Sequence, residues 1–358
     1  SGQTDRQTAS KEFAMAPRVK AAGPASYDSF DDTYDSSQSF PAEEAPPQPK
    51  KKQCAWLSWL LVVACAVGFM FEMGKNEWKL EESSVNPMFG PSIETMIECG
   101  AKRGDLVAKA GQWWRLVSAV FLHGGLLHLG FNCMGILGHG PEFERENGSG
   151  RMAVLFLLSG IFANMCSCIF LPEIVTVGAS GAIFSLFGAC WADVIQNYHL
   201  IGDRAKYLCS LTLSTVFSLG LGLLPWLDNF CHVGGFLSGL VLGTVMVARK
   251  SRGKNGQVTM KTRQQFLLVV CAVLYVFMFV GAVVLLLSVD TSTEWCSWCS
   301  YINCVESPWW TCDTARSVPC EAADYGNGTV GIRCDGQTFT VNSTDPSSIR
   351  AACLKNCN

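Results

Sequence analysis

The sequence predicts an all-α integral membrane protein with seven transmembrane helices and a small Cys-rich tail on the lumenal side. Its residues are 49% hydrophobic and only 16% charged, which is too apolar for a typical soluble protein. The apolar residues form seven uncharged blocks, most of them close to the roughly 20 residues that a helix needs to cross a bilayer. A large soluble helical core is the alternative, but its helices would show a polar face and these blocks do not.

The blocks divide the chain into three predicted parts. Residues 1–53 are rich in Ser, Asp, Pro and Ala, so we expect a disordered cytosolic tail without a cleavable signal peptide. Residues 54–290 contain all the blocks, and residues 291–358 form a polar tail. The seven blocks are Cys54–Phe71, Leu116–Leu137, Met152–Leu171, Gly178–Ala192, Leu208–Leu224, Phe230–Val247 and Phe266–Val289.

The distribution of Lys and Arg predicts the orientation. A lysine cluster at 50–52 precedes the first block, and six basic residues lie between the sixth and seventh blocks, so both segments are expected in the cytosol. Seven crossings then place the Cys-rich tail in the lumen or outside the cell. Asn327 and Asn342 are usable glycosylation sites on that side, whereas the sequon at Asn147 faces the cytosol and is expected to stay bare. We therefore predict a multi-pass protein of the secretory pathway or plasma membrane.

Eight of the 18 cysteines lie in the tail. In an oxidising compartment, an even set of cysteines in a small polar segment predicts disulfide bonds. Zinc is the alternative for the Cys-x-x-Cys pair, but the tail contains no histidine, which makes zinc the weaker reading. The eight residues are Cys296, Cys299, Cys304, Cys312, Cys320, Cys334, Cys353 and Cys357.

Four polar residues stand where lipid-facing side chains would be expected, and such residues are costly in a membrane and tend to be functional. Ser180 lies at the outer start of the fourth block, where a helix N-terminus and the flanking Gly178 and Gly181 suit a nucleophile beside an oxyanion site. His232 lies near the outer end of the sixth block, and neutral histidine is a suitable base for serine. His128 and Asn132 lie one helical turn apart in the second block.

Each of these features also has an alternative interpretation in which the residues serve helix packing and not catalysis. Small residues around Ser180 are common where helices pack closely, and His128 and Asn132 are able to bridge membrane helices by hydrogen bonds. The combination is more informative, because all four residues are expected to converge on one cavity open to the outside. We therefore predict Ser180 as nucleophile and His232 as general base. The predicted oxyanion donors are His128, Asn132 and the Ser180 backbone N–H.

Packing around the site is also predicted. The stripe Gly235-x-x-x-Gly239-x-x-x-Gly243 is expected to press the sixth helix against the fourth. Phe184, one turn below Ser180, is expected to pack on the His232 ring, with a lipid-facing position as the alternative. Asp228 precedes His232 by four residues, but we expect it to be solvated in the loop and not to orient the histidine.

At these residues the chain resembles a rhomboid protease over roughly residues 54–290. The resemblance implies a six-helix core plus one C-terminal transmembrane helix, as in eukaryotic secretory-type members, and a Ser–His dyad with the oxyanion hole given above. It also implies that the partners are single-span membrane proteins, cut near the outer membrane face. The Cys-rich tail is not part of the core family. The motifs that carry the resemblance are His128-Leu-Gly-Phe-Asn132, Gly178-Ala-Ser-Gly181, His232 before Gly234-Gly235, Trp114-Arg115 and the loop Asn86-Pro-Met-Phe-Gly90-Pro-Ser.

Other functional classes fit less well. A non-enzymatic client-binder or chaperone with the rhomboid fold is the first alternative. A transporter or channel would show internal repeats or ionisable groups spread through the membrane midplane, and the sequence shows neither. The net charge of −3 and the lack of basic clusters interleaved with aromatics exclude nucleic acid as an expected partner. The dyad chemistry requires no cofactor or metal.

Overall fold

The computed structural model contains a helical membrane domain followed by a small disulfide-bonded tail. It describes residues 54–83, 86–198, 201–252 and 257–288, and in the tail residues 296, 298–305, 307, 312, 321–324, 328–334, 337–342, 348–349 and 352. The predicted disordered segment 1–53 and the sequon at Asn327 lie outside the described residues.

The described chain forms mainly helices, with short strands after the sixth long helix and in the tail. The helices are α1 (Trp56–Lys75), α2 (Ile93–Cys99), α3 (Gly104–Ala108), α4 (Arg115–Ser118), α5 (Leu126–Asn147), α6 (Ser149–Phe170), α7 (Ser180–Asn197), α8 (Arg204–Leu221), α9 (Asn229–Met246), α10 (Thr262–Ser288) and α11 (Cys299–Asn303). The strands are β1 (Ser251–Arg252), β2 (Val258–Thr259), β3 (Glu321–Asp324), β4 (Val330–Cys334) and β5 (Gln337–Val341).

Four of the long helices are apolar and long enough to cross a membrane, namely α1, α6, α9 and α10. The last of these four, α10, is the most apolar, with a mean hydropathy of 2.9, yet only 11% of its apolar window is buried within the protein. Its remaining surface is suited to contact lipid. The predicted all-α membrane fold, with a helix added after the six-helix core, is confirmed.

Helix α7 lies at the centre of the domain and packs against α5, α6 and α9. Its contact with α9 follows the predicted glycine stripe. A Cβ atom added to Gly239 would lie 2.6 Å from the carbonyl carbon of Ser185, and one added to Gly243 would lie 2.8 Å from the Ala189 Cα. These separations leave no room for a side chain, so the two backbones approach directly.

The second predicted block is divided into two helices, which the hydropathy pattern did not indicate. The block was predicted as one span over Leu116–Leu137, but α4 ends at Ser118 and α5 begins only at Leu126. The physical reason is Gly124-Gly125, because Gly125 has a φ of +159° and its Cα lies against the Met88 backbone of the preceding loop. A side chain at Gly125 would overlap that backbone. His128 consequently lies in the first turn of α5 and not midway along a longer helix.

The last turn of α5 anchors the start of α1. The buried Glu144 carboxylate accepts hydrogen bonds from the backbone N–H groups of Leu57 and Ser58, both at 2.9 Å. It also accepts from the hydroxyls of Ser58 at 2.8 Å and Ser149 at 2.7 Å. The first N–H groups of a helix have no intrahelical partner. Glu144 satisfies two of them and thereby joins α1, α5 and α6.

The tail contains a three-stranded antiparallel sheet in the order β3-β4-β5, with Ile332 buried in its centre. Two disulfides precede the sheet, one joining Cys296 to Cys299 and the other joining Cys304 to Cys312. The predicted disulfide bonding is confirmed for these four cysteines. For Cys296 and Cys299 the disulfide reading replaces the zinc alternative. Cys320, Cys353, Cys357 and the side chain of Cys334 lie outside the described part of the tail.

Candidate active site

Ser180 and His232 are brought into hydrogen-bonding contact by two neighbouring helix N-termini. Ser180 is the first residue of α7, and His232 lies in the first turn of α9. The Ser180 Oγ lies 2.9 Å from the His232 Nε2. A serine becomes a useful nucleophile when a base is within this distance, so the pair has the geometry of a nucleophile and its base.

The pair is held together by close packing beneath it. A Cβ added to Gly181 would lie 2.6 Å from the Ala163 Cβ and 2.7 Å from the Cys231 Sγ. Gly235 of α9 packs directly on the Gly181 carbonyl oxygen. Because the helices meet through backbone atoms immediately below Ser180 and His232, the distance between these two side chains is set by rigid elements and not by loops.

The Phe184 ring stacks on the His232 imidazole, with ring centroids 4.3 Å apart and an interplanar angle of 17°. Phe184 is buried and lies one turn below Ser180. Of the two positions considered from the sequence, the ring takes the one against the histidine. The contact restricts rotation of the imidazole, because a flat ring cannot turn against a second ring packed on its face.

His128 and Asn132 meet the backbone of Gly178, two residues before Ser180 in the chain. A Cβ on Gly178 would lie 2.8 Å from the His128 Nε2 and 3.6 Å from the Asn132 Nδ2, so both polar atoms face the Gly178 backbone. Gly178 itself has a φ of +117°, a conformation that L side chains rarely adopt. The buried His128 Nε2 has no hydrogen-bond partner among the described residues.

Hydrogen bonds fix the protonation pattern of this group. The Gly124 N–H points to the His128 Nδ1 at 3.4 Å, which makes Nδ1 the acceptor and leaves the proton on Nε2. Asn132 donates one Nδ2 hydrogen to the His128 carbonyl at 2.8 Å and retains the second. The two donor nitrogens therefore lie beside Gly178, just before the N-terminus of α7, where the positive end of the helix dipole also favours negative charge.

Asp228 is not solvated, contrary to the expectation from its loop position. It is buried and caps α9, with Oδ1 accepting from the Cys231 N–H at 2.9 Å. Its Oδ2 accepts from the Thr176 hydroxyl at 2.6 Å and from the Ser167 hydroxyl. The His232 Nδ1 has no partner among the described residues, so Asp228 orients the helix that carries the histidine and not the imidazole itself.

Lys102 is a buried residue that supports one wall of the site and was not predicted from the sequence. Its side chain is fully buried, and its Nζ donates to the carbonyls of Leu171 at 2.9 Å and Ile174 at 3.0 Å. Lys102 and Thr176 also pair their backbones in an antiparallel bridge. A buried ammonium requires several acceptors, and those of Lys102 come from a segment about 70 residues further along the chain. Because Lys102 stands beside Arg103 and close to Asp105, no local pattern distinguished it from a solvated charge.

A cavity opens beside the Ser180–His232 pair. Its walls come from α2, from the first turns of α5, α7 and α9, and from four loops, and most of the loop residues were not predicted. Most of the loop residues in the lining are apolar, and they surround the Ser180–His232 pair with apolar side chains. The lining residues are Met88, Ile93, Met96, Gly124, His128, Ile174, Val175, Thr176, Val177, Ser180, Trp226, Leu227, Asp228 and His232.

Comparisons with known proteins identify the family to which this chain belongs. A family model described as the Rhomboid domain matches residues 110–249, which contain Ser180, His232, His128 and Asn132. RHOMBOID-like protein 4 of Arabidopsis thaliana is 31% identical over 333 residues, covering 85% of this chain and 84% of that protein. RHOMBOID-like protein 2 of the same plant is 33% identical over 72% of this chain and 90% of its own length. A further relative, 28% identical over 75% of this chain, is named Inactive RHOMBOID-like protein 8. With such similarity across most of both chains, this protein belongs to the rhomboid family of multi-pass membrane proteins.

Proposed function

We propose that this chain is an intramembrane serine protease that hydrolyses peptide bonds of single-span membrane proteins near the outer membrane face. The observation that carries the proposal is the 2.9 Å contact between the Ser180 Oγ and the His232 Nε2 at the start of two packed helices. A rhomboid-fold protein that only binds client proteins does not require a serine in hydrogen-bonding contact with a histidine. Since two relatives are named inactive, family membership alone is not the argument.

The proposed reaction follows the usual two steps of acyl transfer. The Ser180 Oγ attacks the carbonyl carbon of the scissile peptide bond while its proton passes to the His232 Nε2. The oxyanion of the tetrahedral intermediate accepts hydrogen bonds from the Ser180 N–H, the His128 Nε2–H and the free Asn132 Nδ2–H. Collapse of the intermediate breaks the C–N bond, and His232 returns the proton to the leaving amine. Water then hydrolyses the acyl-enzyme by the same route in reverse order.

The proposal is tested by reconstituting the protein in liposomes with a single-span reporter that carries small residues near its outer membrane boundary. We expect two reporter fragments, whose masses place the cut near that boundary, and covalent labelling of Ser180 by a fluorophosphonate. The same reporter sequence on a soluble carrier is the control and should be cut much less. If no membrane reporter is cleaved and Ser180 is not labelled, the protease proposal is rejected and the client-binder is favoured.

We further propose that the N-terminus is cytosolic and that the tail is lumenal or extracellular, in a membrane of the secretory pathway or plasma membrane. The support is the placement of Lys and Arg in the sequence. The Asn342 side chain lies exposed at the end of β5, which is compatible with a glycan. Asn147, in contrast, is partly buried at the end of α5, where its Nδ2 donates to the Phe143 carbonyl at 3.1 Å.

This orientation predicts which sequons carry glycans in a eukaryotic host. Asn342→Gln and Asn327→Gln should each remove one glycan from the protein, because both sites are expected on the lumenal side. Asn147→Gln should leave the mass unchanged, since a cytosolic sequon is never exposed to the transferase. Gel mobility before and after treatment with an endoglycosidase is the measurement. A mobility shift that disappears only in Asn147→Gln would invert the proposed orientation.

A further inference from the structure

The loop between α8 and α9 forms one wall of the candidate active site. Trp226, Leu227 and Asp228 of this loop line the cavity that contains Ser180 and His232. The loop begins at Gly222, where an added Cβ would lie 2.9 Å from the His232 Nδ1. The position of this loop therefore determines both the width of the cavity and the surroundings of the imidazole.

A segment of the Cys-rich tail is bonded to both ends of this loop. This docking segment comprises Cys296 and residues 298–305, and it lies outside the region matched by the family model. At the α9 end, the Asn229 N–H donates to the Asn303 Oδ1 at 3.0 Å, and the Asn229 Nδ2 donates to the Ile302 carbonyl at 2.9 Å. At the α8 end, the Val305 N–H donates to the Leu223 carbonyl at 3.2 Å.

The contact through Asn303 is a helix cap supplied from outside the core. Asn229 is the first residue of α9, and its N–H is one of those that lack an intrahelical acceptor. Asp228 accepts from the Cys231 N–H, and Asn303 accepts from the Asn229 N–H. Both asparagines are buried, Asn303 being 9% exposed and Asn229 5%. The helix that carries His232 thus depends on the tail for part of its N-terminal cap.

The two disulfides hold the docking segment in place. The Cys296–Cys299 pair is buried against Leu171 and Phe230, and the Phe230 ring stacks on Phe170 with centroids 4.7 Å apart. The second disulfide begins at Cys304, directly after Asn303. A short segment closed at both ends in this way loses little conformational entropy when it binds, so it is able to fix the loop against which it packs.

We propose that the docking segment is a positioning element of the active site, with Asn303 as the residue that holds the first turn of α9 and thereby His232 against Ser180. The inference rests on the proposed protease function. It assigns the tail an effect on the rate of the chemical step and not only on stability. Asn303 acts through Asn229 and the α8–α9 loop, and it does not touch the reacting atoms.

The inference is tested with two variants of the full-length protein in liposomes. Asn303→Leu has a similar size but lacks the acceptor oxygen, whereas Asn303→Asp keeps an acceptor and adds a negative charge that a helix N-terminus favours. Tyr301→Ala is the control, since Tyr301 lies on the same short helix and is 76% exposed. The measurements are the rate of Ser180 labelling by a fluorophosphonate, kcat and KM for the reporter, and the thermal midpoint.

We expect Asn303→Leu to lower the labelling rate and kcat by about 10- to 100-fold, the range over which small misplacements of catalytic groups act, with KM little changed. Asn303→Asp and Tyr301→Ala should remain near the wild type. Equal labelling of Asn303→Leu and wild type would overturn the inference. The inference would also be overturned if Asn303→Leu and Asn303→Asp lost labelling rate and kcat equally and both had a lowered thermal midpoint, because the role of Asn303 would then be structural only. A wild type that neither reacts nor cleaves would instead reject the proposed function, and the positioning role would fall with it.

Discussion

Replacing Ser180 or His232 with alanine is expected to abolish cleavage of a membrane-anchored reporter. In each variant the other member of the pair remains, but serine without a base is a weak nucleophile, and a base without serine has nothing to activate. In a soluble serine protease the loss of either member costs on the order of a millionfold in rate, because the two act as one unit. We therefore expect no product above background from Ser180→Ala or His232→Ala in liposomes.

The oxyanion donors provide the matched comparison. His128→Ala and Asn132→Ala each remove one donor, which typically lowers the rate by about 100- to 1000-fold and leaves measurable activity. All four proteins should keep the wild-type thermal midpoint within a few degrees if the losses are chemical. The role assignment is wrong if His232→Ala retains activity while His128→Ala has none. Normal cleavage by Ser180→Ala would remove Ser180 as the nucleophile and, with it, the proposed mechanism.

Gly239→Ala is expected to destabilise the membrane domain strongly. The added methyl group would overlap the Ser185 backbone, which cannot rotate away as a side chain would, so α7 and α9 must separate. Inserting a methyl group into a well-packed interior typically costs about 1–3 kcal/mol, and a backbone contact places this site at the upper end. The loss should appear as a lowered midpoint in thermal or detergent unfolding and, by moving His232 from Ser180, as a loss of activity.

Gly281→Ala is the control for this prediction. Gly281 lies in α10, and among the residues that the structure describes, no heavy atom outside its own stretch of helix lies within 4 Å of its added Cβ. Here alanine brings only its better helix propensity, which is worth up to about 1 kcal/mol in a helix interior. The two variants carry the same chemical change in two membrane helices. If both leave the unfolding midpoint unchanged, close backbone packing is not what holds α7 to α9.

The sequence was sufficient to predict the long helices, apart from the start of α5, and the packing of α7 on α9, because both depend on local patterns. Uncharged blocks identify spans, and glycines at intervals of four identify a close helix contact. The division of the second block was not predictable from hydropathy. It depends on the Gly124-Gly125 backbone meeting Met88 of a distant loop, and apolar residues continue across the break.

For the candidate site, the residues on helix ends were predictable and the loop network was not. Ser180 and His232 were identified from residue type and depth. Asp228 was misjudged because a carboxylate in a short loop is usually solvated, whereas here Ser167 and Thr176 from two other segments supply its donors. The contact between Asn229 and Asn303 joins positions 74 apart in the chain, and no local pattern in either segment indicates the partner.

The backbone of Gly178 has a consequence for the genetics of this protein. A single nucleotide change in a glycine codon either is silent, creates a stop codon or encodes a different amino acid. The amino acids encoded in this way are Ala, Val, Asp, Glu, Arg, Ser, Cys and Trp, and each of them has a Cβ. At Gly178 that atom would lie 2.7 Å from the His128 ring, in a conformation with a φ of +117°. Every missense mutation that a single nucleotide change produces at Gly178 therefore places an atom against the His128 ring. We expect this position to tolerate no single-nucleotide substitution of its amino acid.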